Sequence, residues 1–245
     1  MENFKIAYCA GHHLGNSKGV NKNMGFGSIR EWTLNDRVAD HFAEAAKQYE
    51  NVELLRTDDP TGKTLIDIPE RCAAANAWGA DLYVDMHHNG GINGGTGGGV
   101  VAYSRPKDEK SGAYAKAIYD AVIAAGGLRG NRASPLQEKN WLTMKHSSMP
   151  AVLMEYGFMD SLTDTPVIVT DEYSRLVAYA TMEGVAQAAG LKKKTPAEAQ
   201  PEESADPGVL YRVQVGAFRN REYALDMLEK LEKAGFPGFL VEVVA

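Results

Sequence analysis

The sequence predicts an α/β fold: a twisted, mostly parallel sheet with helices on both faces, followed by a linker and a small βαβ segment at the carboxyl end. Short apolar runs alternate with helical patterns over the first 190 residues, and strands that alternate with helices build parallel sheets. A stretch almost without apolar residues then separates this region from a short patterned tail. A chain of 245 residues has room for one sizeable domain and a smaller one.

The predicted strands are short apolar runs, typical of strands buried on both faces of a sheet. In chain order they read FKIAYCA, VELLR, DLYVDMH, GVVAYS and AVLMEYGF. The helical patterns lie between and after these runs, and three of the four close at a glycine, a residue typical of helix C-caps. They are residues 31–49, 66–79, 109–126 and 171–190.

The composition changes near residue 190, which predicts that residues 1–190 form one domain, large enough to be a catalytic domain. Residues 191–208 are rich in Pro, Glu, Lys and Ala, as solvated linkers are. Residues 209–245 form the tail, which is shorter than the roughly 40 residues below which chains rarely fold unaided. Its pattern predicts strand, helix and strand: Tyr211–Val215, about 220–234 and Phe239–Val244.

Bulk composition narrows the classes of protein. A net charge of -6 argues against nucleic acid as a partner, because proteins that bind it usually carry a basic surplus. No apolar run approaches the ~20 residues of a membrane helix, so membrane insertion is not expected. The opening MENFKIAYCAGHH lacks a basic region and a long apolar run, which predicts a chain made in the cytoplasm without a signal peptide.

Two local features predict no chemistry of their own. Cys9 and Cys72 lack the number and spacing of a disulfide scaffold or a C-x-x-C motif, so we expect buried free thiols. A nucleophilic pair of Cys9 with a histidine is disfavoured, because alternate side chains of a strand point to opposite faces. The glycine-rich residues 90–99 lack the signature of a phosphate-binding loop and predict a flexible loop at the mouth of a site.

Histidine is placed sparingly and in pairs. Four of the six histidines form the adjacent pairs His12–His13 and His87–His88, each at the end of a predicted strand. In parallel sheets these carboxyl ends meet at one edge, where ligands bind. A catalytic zinc usually takes three protein ligands and leaves one position open. His12 and His87 could supply two of them.

Glu31 is the candidate for a third ligand, because it is a carboxylate close to the loop that follows the first strand. The pattern also allows another role. Ser28 and Glu31 form an S-x-x-E capping box, in which the glutamate would reach back to the start of its helix. One carboxylate cannot easily serve both purposes, so the residues alone leave the two interpretations open.

Glu155 lies inside the apolar run AVLMEYGF. A buried carboxylate without a partner is unfavourable, so such a residue has a reason for its position. One explanation is a salt bridge to a buried arginine. The other is a general base at a strand end, since burial would raise its pKa toward neutrality, where proton transfer is efficient.

Together these segments resemble a known family. The ordered motifs are AGHH, REWTLN, RCAAANAWGADLYVDMHHNG and PAVLMEYGFMDS. They are similar to the type 3 zinc N-acetylmuramoyl-L-alanine amidases, which cleave peptidoglycan, over about residues 4–190. The resemblance implies one Zn²⁺ per chain held by His12, Glu31 and His87, with Glu155 as the catalytic glutamate. It also places Asn89, Arg71 and Asn76 at positions that support the site or the substrate.

The chain departs from the family pattern at three places. Cys9–Ala10 replaces the usual Asp-Pro or Asp-Ala, His13 replaces a frequent glycine, and Asp85 replaces a usual serine. Asp85, His13 and His88 could therefore orient a ligand or the substrate. For His13 and His88 the favoured interpretation is a position as solvent-facing neighbours.

The tail resembles the first half of a sporulation-related repeat (SPOR) domain, which binds glycan strands stripped of peptides. With only one half, two chains could pair into a homodimer; a small dimerising unit without wall affinity is the alternative.

The resemblance implies zinc-dependent hydrolysis of the amide between N-acetylmuramic acid and L-alanine in bacterial peptidoglycan. Zinc would polarise the lactyl carbonyl and activate water, and Glu155 would move the proton. The alternatives are a zinc peptidase or carboxypeptidase on wall peptides and a wall-binding protein without activity. The expected lack of a signal peptide suggests a phage or prophage endolysin that reaches the wall through holin-type release.

Overall fold

In the computed structural model, the described residues are 3–15, 18–20, 25–194, 221–233 and 240. Within them the strands are β1 Phe4–Ala10, β2 Val52–Arg56, β3 Leu82–Asn89, β4 Val101–Ser104, β5 Leu136–Glu138 and β6 Ala151–Phe158. They form one sheet in the order β2-β1-β3-β6-β4-β5. Neighbours are parallel except for β4 and β6, which are antiparallel. The predicted mostly parallel α/β sheet is confirmed.

The helices of the described residues are α1 Glu31–Ala46, α2 Ile68–Trp78, α3 Glu109–Ala124, α4 Leu142–His146, α5 Thr165–Ile168, α6 Asp171–Ala189 and α7 Arg221–Lys233. Three long helices, α1, α3 and α6, bury their apolar residues in the larger core on one face of the sheet. The other face is covered by α2 and the short α4 in a smaller core. Helices therefore lie on both faces, as predicted.

The predicted elements of the sheet domain are all present. β5 and the short helices α4 and α5 were not predicted, because three to five residues are too few to show a hydrophobic period. In the tail, α7 lies within the predicted helix. The strands predicted at 211–215 and 239–244 and most of the linker fall outside the described residues.

The antiparallel strand β4 follows from the loop before it. Parallel strands need a crossover of about a dozen residues or more, usually with a helix, whereas the glycine-rich loop after β3 contains none. The chain therefore returns at the same edge of the sheet, and β4 begins with Val101 opposite Glu155 of β6. Glu155 also lies opposite His87 of β3. This edge carries the candidate site.

The chain divides into two units, Met1–Thr195 and Pro196–Ala245. None of the described helices is long and apolar enough to cross a bilayer.

Candidate metal centre and active site

His12, Glu31 and His87 come together at the carboxyl edge of β1 and β3. One potential ligand atom of each lies within 4.8 Å of the other two. Nε2 of His12 is 3.2 Å from Oε2 of Glu31, and Nδ1 of His87 is 3.0 Å from Oε1 of the same carboxylate. Residues from three separate segments thus converge on one point, with Glu31 between the two imidazoles.

The backbone after β1 is shaped to make this contact. The Gly11 N–H donates to the Met86 carbonyl of β3 at 2.8 Å. A Cβ on Gly11 would lie 2.1 Å from the His87 ring, so only glycine leaves room for that ring. His12 follows with a φ of 67°, a left-handed conformation that few non-glycine residues adopt. Such conformations cluster at functional sites.

Glu31 does not cap its helix, so the capping-box interpretation is wrong. The N-cap of α1 is Arg30, with no side-chain capping bond. Glu31 is only 5% exposed. Burial raises its pKa, but hydrogen bonds from His12 and His87 outweigh that effect and hold the pKa well below its usual value. The carboxylate is ionised and committed to the two histidines.

Asn35, one turn further along α1, is a site residue that the sequence analysis missed. Its side-chain N–H₂ donates to the Gly11 carbonyl at 3.1 Å and to Oε1 of Glu31 at 3.4 Å. Its Oδ1 lies 2.8 Å from Nδ1 of His88. Asn35 therefore joins the glycine turn, the central carboxylate and the second histidine pair. Its place four residues after Glu31, on the same helix face, was the available signal.

His88 is 2% exposed, so its prediction as a solvent-facing neighbour is wrong. Successive side chains of a strand point to opposite faces. The His88 ring meets Asn35 within α1. The His87 ring instead lies between Asp85 and Glu31, the first residue of α1. The His88 ring centroid lies 5.9 Å from that of Tyr156. Burial lowers the pKa of His88 to about 3, so the ring is neutral and can donate from Nδ1 to Asn35. His13 is half-buried and stands outside the three-residue cluster.

Asp85 holds the far side of the His87 ring. Its Oδ1 is 3.1 Å from Nε2 of His87 and accepts a bond of 3.1 Å from Sγ of Cys9. Its Oδ2 accepts from the Thr143 hydroxyl at 2.6 Å. Burial raises the Asp85 pKa, but the charge of His87 and these hydrogen bonds bring it well below its usual range. Because Asp85 holds Nε2, Nδ1 of His87 is the atom that faces Glu31.

Glu155 is 8% exposed, and its Oε2 is buried without a hydrogen-bond partner among the described residues. No ion pair within 4.0 Å joins it to a described cation, so the salt-bridge explanation for its burial is wrong. Burial raises the Glu155 pKa to about 8, despite the opposing charge of His87. It is a carboxyl group beside the cluster, and its burial favours the protonated form over a wider pH range than is usual for a glutamate.

Arg71 and Asn76, both on α2, have different neighbours. The Arg71 guanidinium donates to the Ala10 and His12 carbonyls at 2.9 and 2.7 Å, which fixes the turn that carries His12. Asn76 donates to the His146 carbonyl at 2.8 Å, in the segment that precedes β6. That segment lies at the amino end of β6, away from the carboxyl edge of the sheet. The structure therefore brings Arg71 to the cluster but not Asn76.

Asn89, the last residue of β3, borders Tyr103, a second residue that the sequence analysis missed. Burial raises the pKa of Tyr103, the Glu155 carboxylate adds to this, and a hydrogen bond with Asn89 opposes it. The Tyr103 ring centroid lies 4.4 Å from that of the exposed Trp141. Tyr103 thus lies near Asn89 and Glu155, and Trp141 packs against its ring.

The cluster has the chemistry of a zinc site. Two imidazole nitrogens and one carboxylate oxygen are the donors that a catalytic zinc takes. Asp85 and Asn35 orient the donors, as groups around bound metals commonly do. The glycine at position 11 keeps the space for the His87 ring. The residues present therefore fit the metal.

The fold and the site define an α/β enzyme with a histidine–carboxylate centre at the carboxyl edge of its sheet. A family model described as N-acetylmuramoyl-L-alanine amidase matches residues 6–187, and a model of the SPOR domain matches residues 177–242. The chain belongs to the N-acetylmuramoyl-L-alanine amidase family and is a peptidoglycan amidase that acts on the bacterial cell wall. The predicted enzyme class and the SPOR resemblance are confirmed, and the SPOR match begins inside α6, well before residue 209.

Two curated relatives illustrate the similarity. A sporulation-specific N-acetylmuramoyl-L-alanine amidase of Bacillus subtilis (strain 168) is 29% identical over 235 residues, which cover 94% of this chain and 81% of the relative. An endolysin of Bacillus phage SPP1 is 33% identical over 162 residues, which cover 64% of this chain and 56% of the endolysin.

Solved structures share the fold. An N-acetylmuramoyl-L-alanine amidase from Clostridium difficile 630 aligns with a TM-score of 0.69 and 22% identity, covering 78% of this chain and 98% of that one. The catalytic domain of CwlV from Bacillus (Paenibacillus) polymyxa var. colistinus aligns with a TM-score of 0.68 and 21% identity, covering 77% and 99%.

Proposed function

We propose that this chain hydrolyses the amide bond between N-acetylmuramic acid and L-alanine with one Zn²⁺ held by His12, Glu31 and His87. The observation that supports this most is the cluster of two histidines around the buried Glu31 carboxylate, with Glu155 beside it. When bound, zinc supplies a Lewis acid for the lactyl carbonyl and lowers the pKa of a water.

Glu155 moves the proton in this proposal. Its carboxylate accepts a proton from the attacking water while oxygen bonds to the lactyl carbon. The carbon–nitrogen bond then breaks, and Glu155 returns the proton to the departing amine of L-alanine. Its buried position and its pKa of about 8 suit a group that must both take and give a proton at working pH.

The neighbouring side chains hold this arrangement. Asp85 fixes the ring of His87 through Nε2, and Arg71 fixes the backbone of His12. Asn35 ties Glu31 to the glycine turn, and His88 sets the orientation of the Asn35 amide. Asn89 and the half-buried His13 lie closer to the surface, where they could contact substrate. Asn76 instead stabilises the segment before β6, through its hydrogen bond to the His146 carbonyl at the other edge of the sheet.

The second unit acts as an accessory in this proposal. We assign residues 1–190 to catalysis, 191–208 to a linker and 209–245 to a SPOR-like segment that binds glycan or pairs two chains. The SPOR match supports this assignment.

Product analysis tests the reaction. Digested cell wall should release peptides that begin with L-alanine, as mass spectrometry would show; shorter peptides cut within the stem would indicate a peptidase instead.

The Glu155→Gln variant tests the general base. It should keep its zinc and its fold but lose at least about a hundredfold in turnover, within the range of general acid–base catalysis. Full activity of that variant would remove Glu155 from the mechanism.

Metal analysis tests the ligands. The purified chain should bind about one zinc, and His12→Ala should lose most of that affinity. His13→Ala is the matched control, because it removes an adjacent imidazole outside the cluster. Equal losses in the two variants would contradict the assignment. A chain that neither binds zinc nor cleaves wall after zinc is added would be a wall-binding protein without activity.

A further inference from the structure

Arg132 is fixed beside the candidate site by an aromatic ring. Its guanidinium carbon lies 4.6 Å from the centroid of the Phe158 ring. Phe158 is three residues beyond Glu155 on β6 and pairs with Asn89 of β3. The cation therefore stands at the same edge of the sheet as the cluster, on the side of β6.

The backbone around Arg132 is held in place by close packing. The Gly98 N–H donates to Oδ1 of Asn131 at 3.1 Å. A Cβ on Gly130 would lie 2.0 Å from the Gly98 carbonyl oxygen, and one on Gly98 would lie 2.6 Å from the Phe158 ring. The glycine-rich loop, the segment that bears Arg132 and the end of β6 thus form one unit. The backbone that bears Arg132 is held by these contacts, and the guanidinium lies over the Phe158 ring.

Arg132 is exposed, and no described carboxylate forms an ion pair with it within 4.0 Å. Two aspartates nearby are engaged by backbone N–H groups. Oδ2 of Asp160 accepts from Gly91 and Asn93, each at 2.8 Å. Oδ2 of Asp164 accepts from Gly99 and Phe158, at 2.7 and 3.0 Å. Since Arg132 is exposed and pairs with no described carboxylate, its guanidinium is accessible to an external anion.

The effect of the Arg132 charge on Tyr103 also places Arg132 near the candidate site. The charges of Glu155 and Arg132 both reach the Tyr103 hydroxyl, where the first raises and the second lowers its pKa. A substrate that lies over Glu155 and Tyr103 would therefore pass within range of the guanidinium.

Substrate chemistry decides which anion this is. The glycan strand is uncharged while its lactyl carboxyl is held in the amide, so the carboxylates of the intact substrate lie on the stem peptide. Arginine binds carboxylates with paired, charge-assisted hydrogen bonds. We infer that Arg132 binds a carboxylate of the stem peptide and so favours acidic over amidated stems. This inference rests on the proposed function.

Binding measured without turnover tests this inference. In zinc-loaded, full-length Glu155→Gln protein, calorimetry would compare N-acetylmuramoyl-L-alanyl-D-glutamate with its diamide. Adding Arg132→Gln should lower the affinity for the acid about tenfold or more and the affinity for the diamide less than twofold. Arg132→Lys should recover part of the loss. Arg175→Gln is the matched control, since Arg175 is also exposed and lies 4.8 Å from an aromatic ring, that of Tyr179, on α6.

Three outcomes would overturn the inference. One is equal affinity of the starting protein for the acid and the diamide. Another is a loss in Arg132→Gln no larger than in Arg175→Gln. The third is a loss confined to free N-acetylmuramic acid, which would assign Arg132 to the lactyl carboxylate of the product. A failure to release L-alanine peptides would instead refute the proposed function, and the binding comparison could still be interpreted by itself.

Discussion

At the scale of single residues, the candidate site buries charge that a purely structural protein would avoid. Glu155 has no described partner for one carboxylate oxygen, and burial raises its pKa to about 8. An unfolded glutamate has a pKa of roughly 4.3. The folded protein therefore holds the Glu155 proton more tightly than the unfolded chain, so this residue favours folding at low pH. The contribution is lost as the pH rises toward the folded value.

This predicts a pH-dependent gain in stability for Glu155→Gln. In chelator-treated protein, the unfolding free energy of the variant minus that of the parent should increase as the pH rises from 5 to 8. The slope should be at most roughly 1.4 kcal/mol per pH unit, the free-energy equivalent of one pKa unit. Urea unfolding at several pH values would measure it. A constant difference between the two proteins would show that Glu155 is not desolvated as described.

The turn at Gly11 makes a second prediction at this scale. Gly11→Ala should displace the His87 ring, because the added Cβ would meet that ring at 2.1 Å. Zinc affinity should fall by roughly tenfold or more, the range seen when groups that orient metal ligands are changed. The control is Gly90→Ala, where a Cβ meets nothing within 4 Å. Equal zinc affinity in the two variants, measured by competition with a chelating dye, would contradict the geometry.

At the scale of elements, close packing of α3 on α6 shapes the larger core. Gly184 of α6 faces the α3 backbone, where a Cβ would lie 2.5 Å from Cα of Ile118. Gly184→Ala should therefore destabilise the protein by about 1–3 kcal/mol, although alanine favours helix. Gly112→Ala on α3 has open space at the added Cβ and should stabilise by up to about 1 kcal/mol. Denaturant unfolding would compare them; a gain in both variants would mean that the helices separate easily.

The strand arrangement explains why the site lies where it does. β1 and β3 are parallel neighbours, so Gly11 and His87 meet at their shared carboxyl edge. β6 follows β3 in the sheet and brings Glu155 opposite His87. The sequence patterns predicted these strands, but the order β3-β6-β4 came only from the structure. It depends on the glycine-rich loop, whose polar anchors, Asp160 and Asp164, lie more than sixty residues away in sequence.

At the scale of the whole molecule, the chain consists of two units, and every residue of the candidate site lies in the first. Removal of residues 196–245 should change turnover on a soluble muropeptide by less than about twofold. Retention on glycan strands stripped of peptides should fall strongly, as a pelleting assay would show. α6 stays intact in the truncated chain, since it ends at Ala189 and packs into the larger core.

Light scattering on the same two proteins would test pairing through the second unit. If the SPOR-like segment joins two chains, the full-length protein should be a dimer and the truncated one a monomer. Unchanged glycan retention together with an unchanged mass would argue against both roles of the segment.

The sequence by itself determined the alternating α/β pattern, the strand ends that carry histidine and the unusual glutamate in an apolar strand. These are local properties, written in hydrophobic periods and motif order. Tertiary structure alone decided that Glu31 serves the histidines rather than its helix cap, and that His88 is buried. It also supplied Asn35, Cys9 and Thr143 as partners. The physical reason is that the contacts that decide these points join residues 19 to 76 positions apart, and such residues come close only when the strands align side by side.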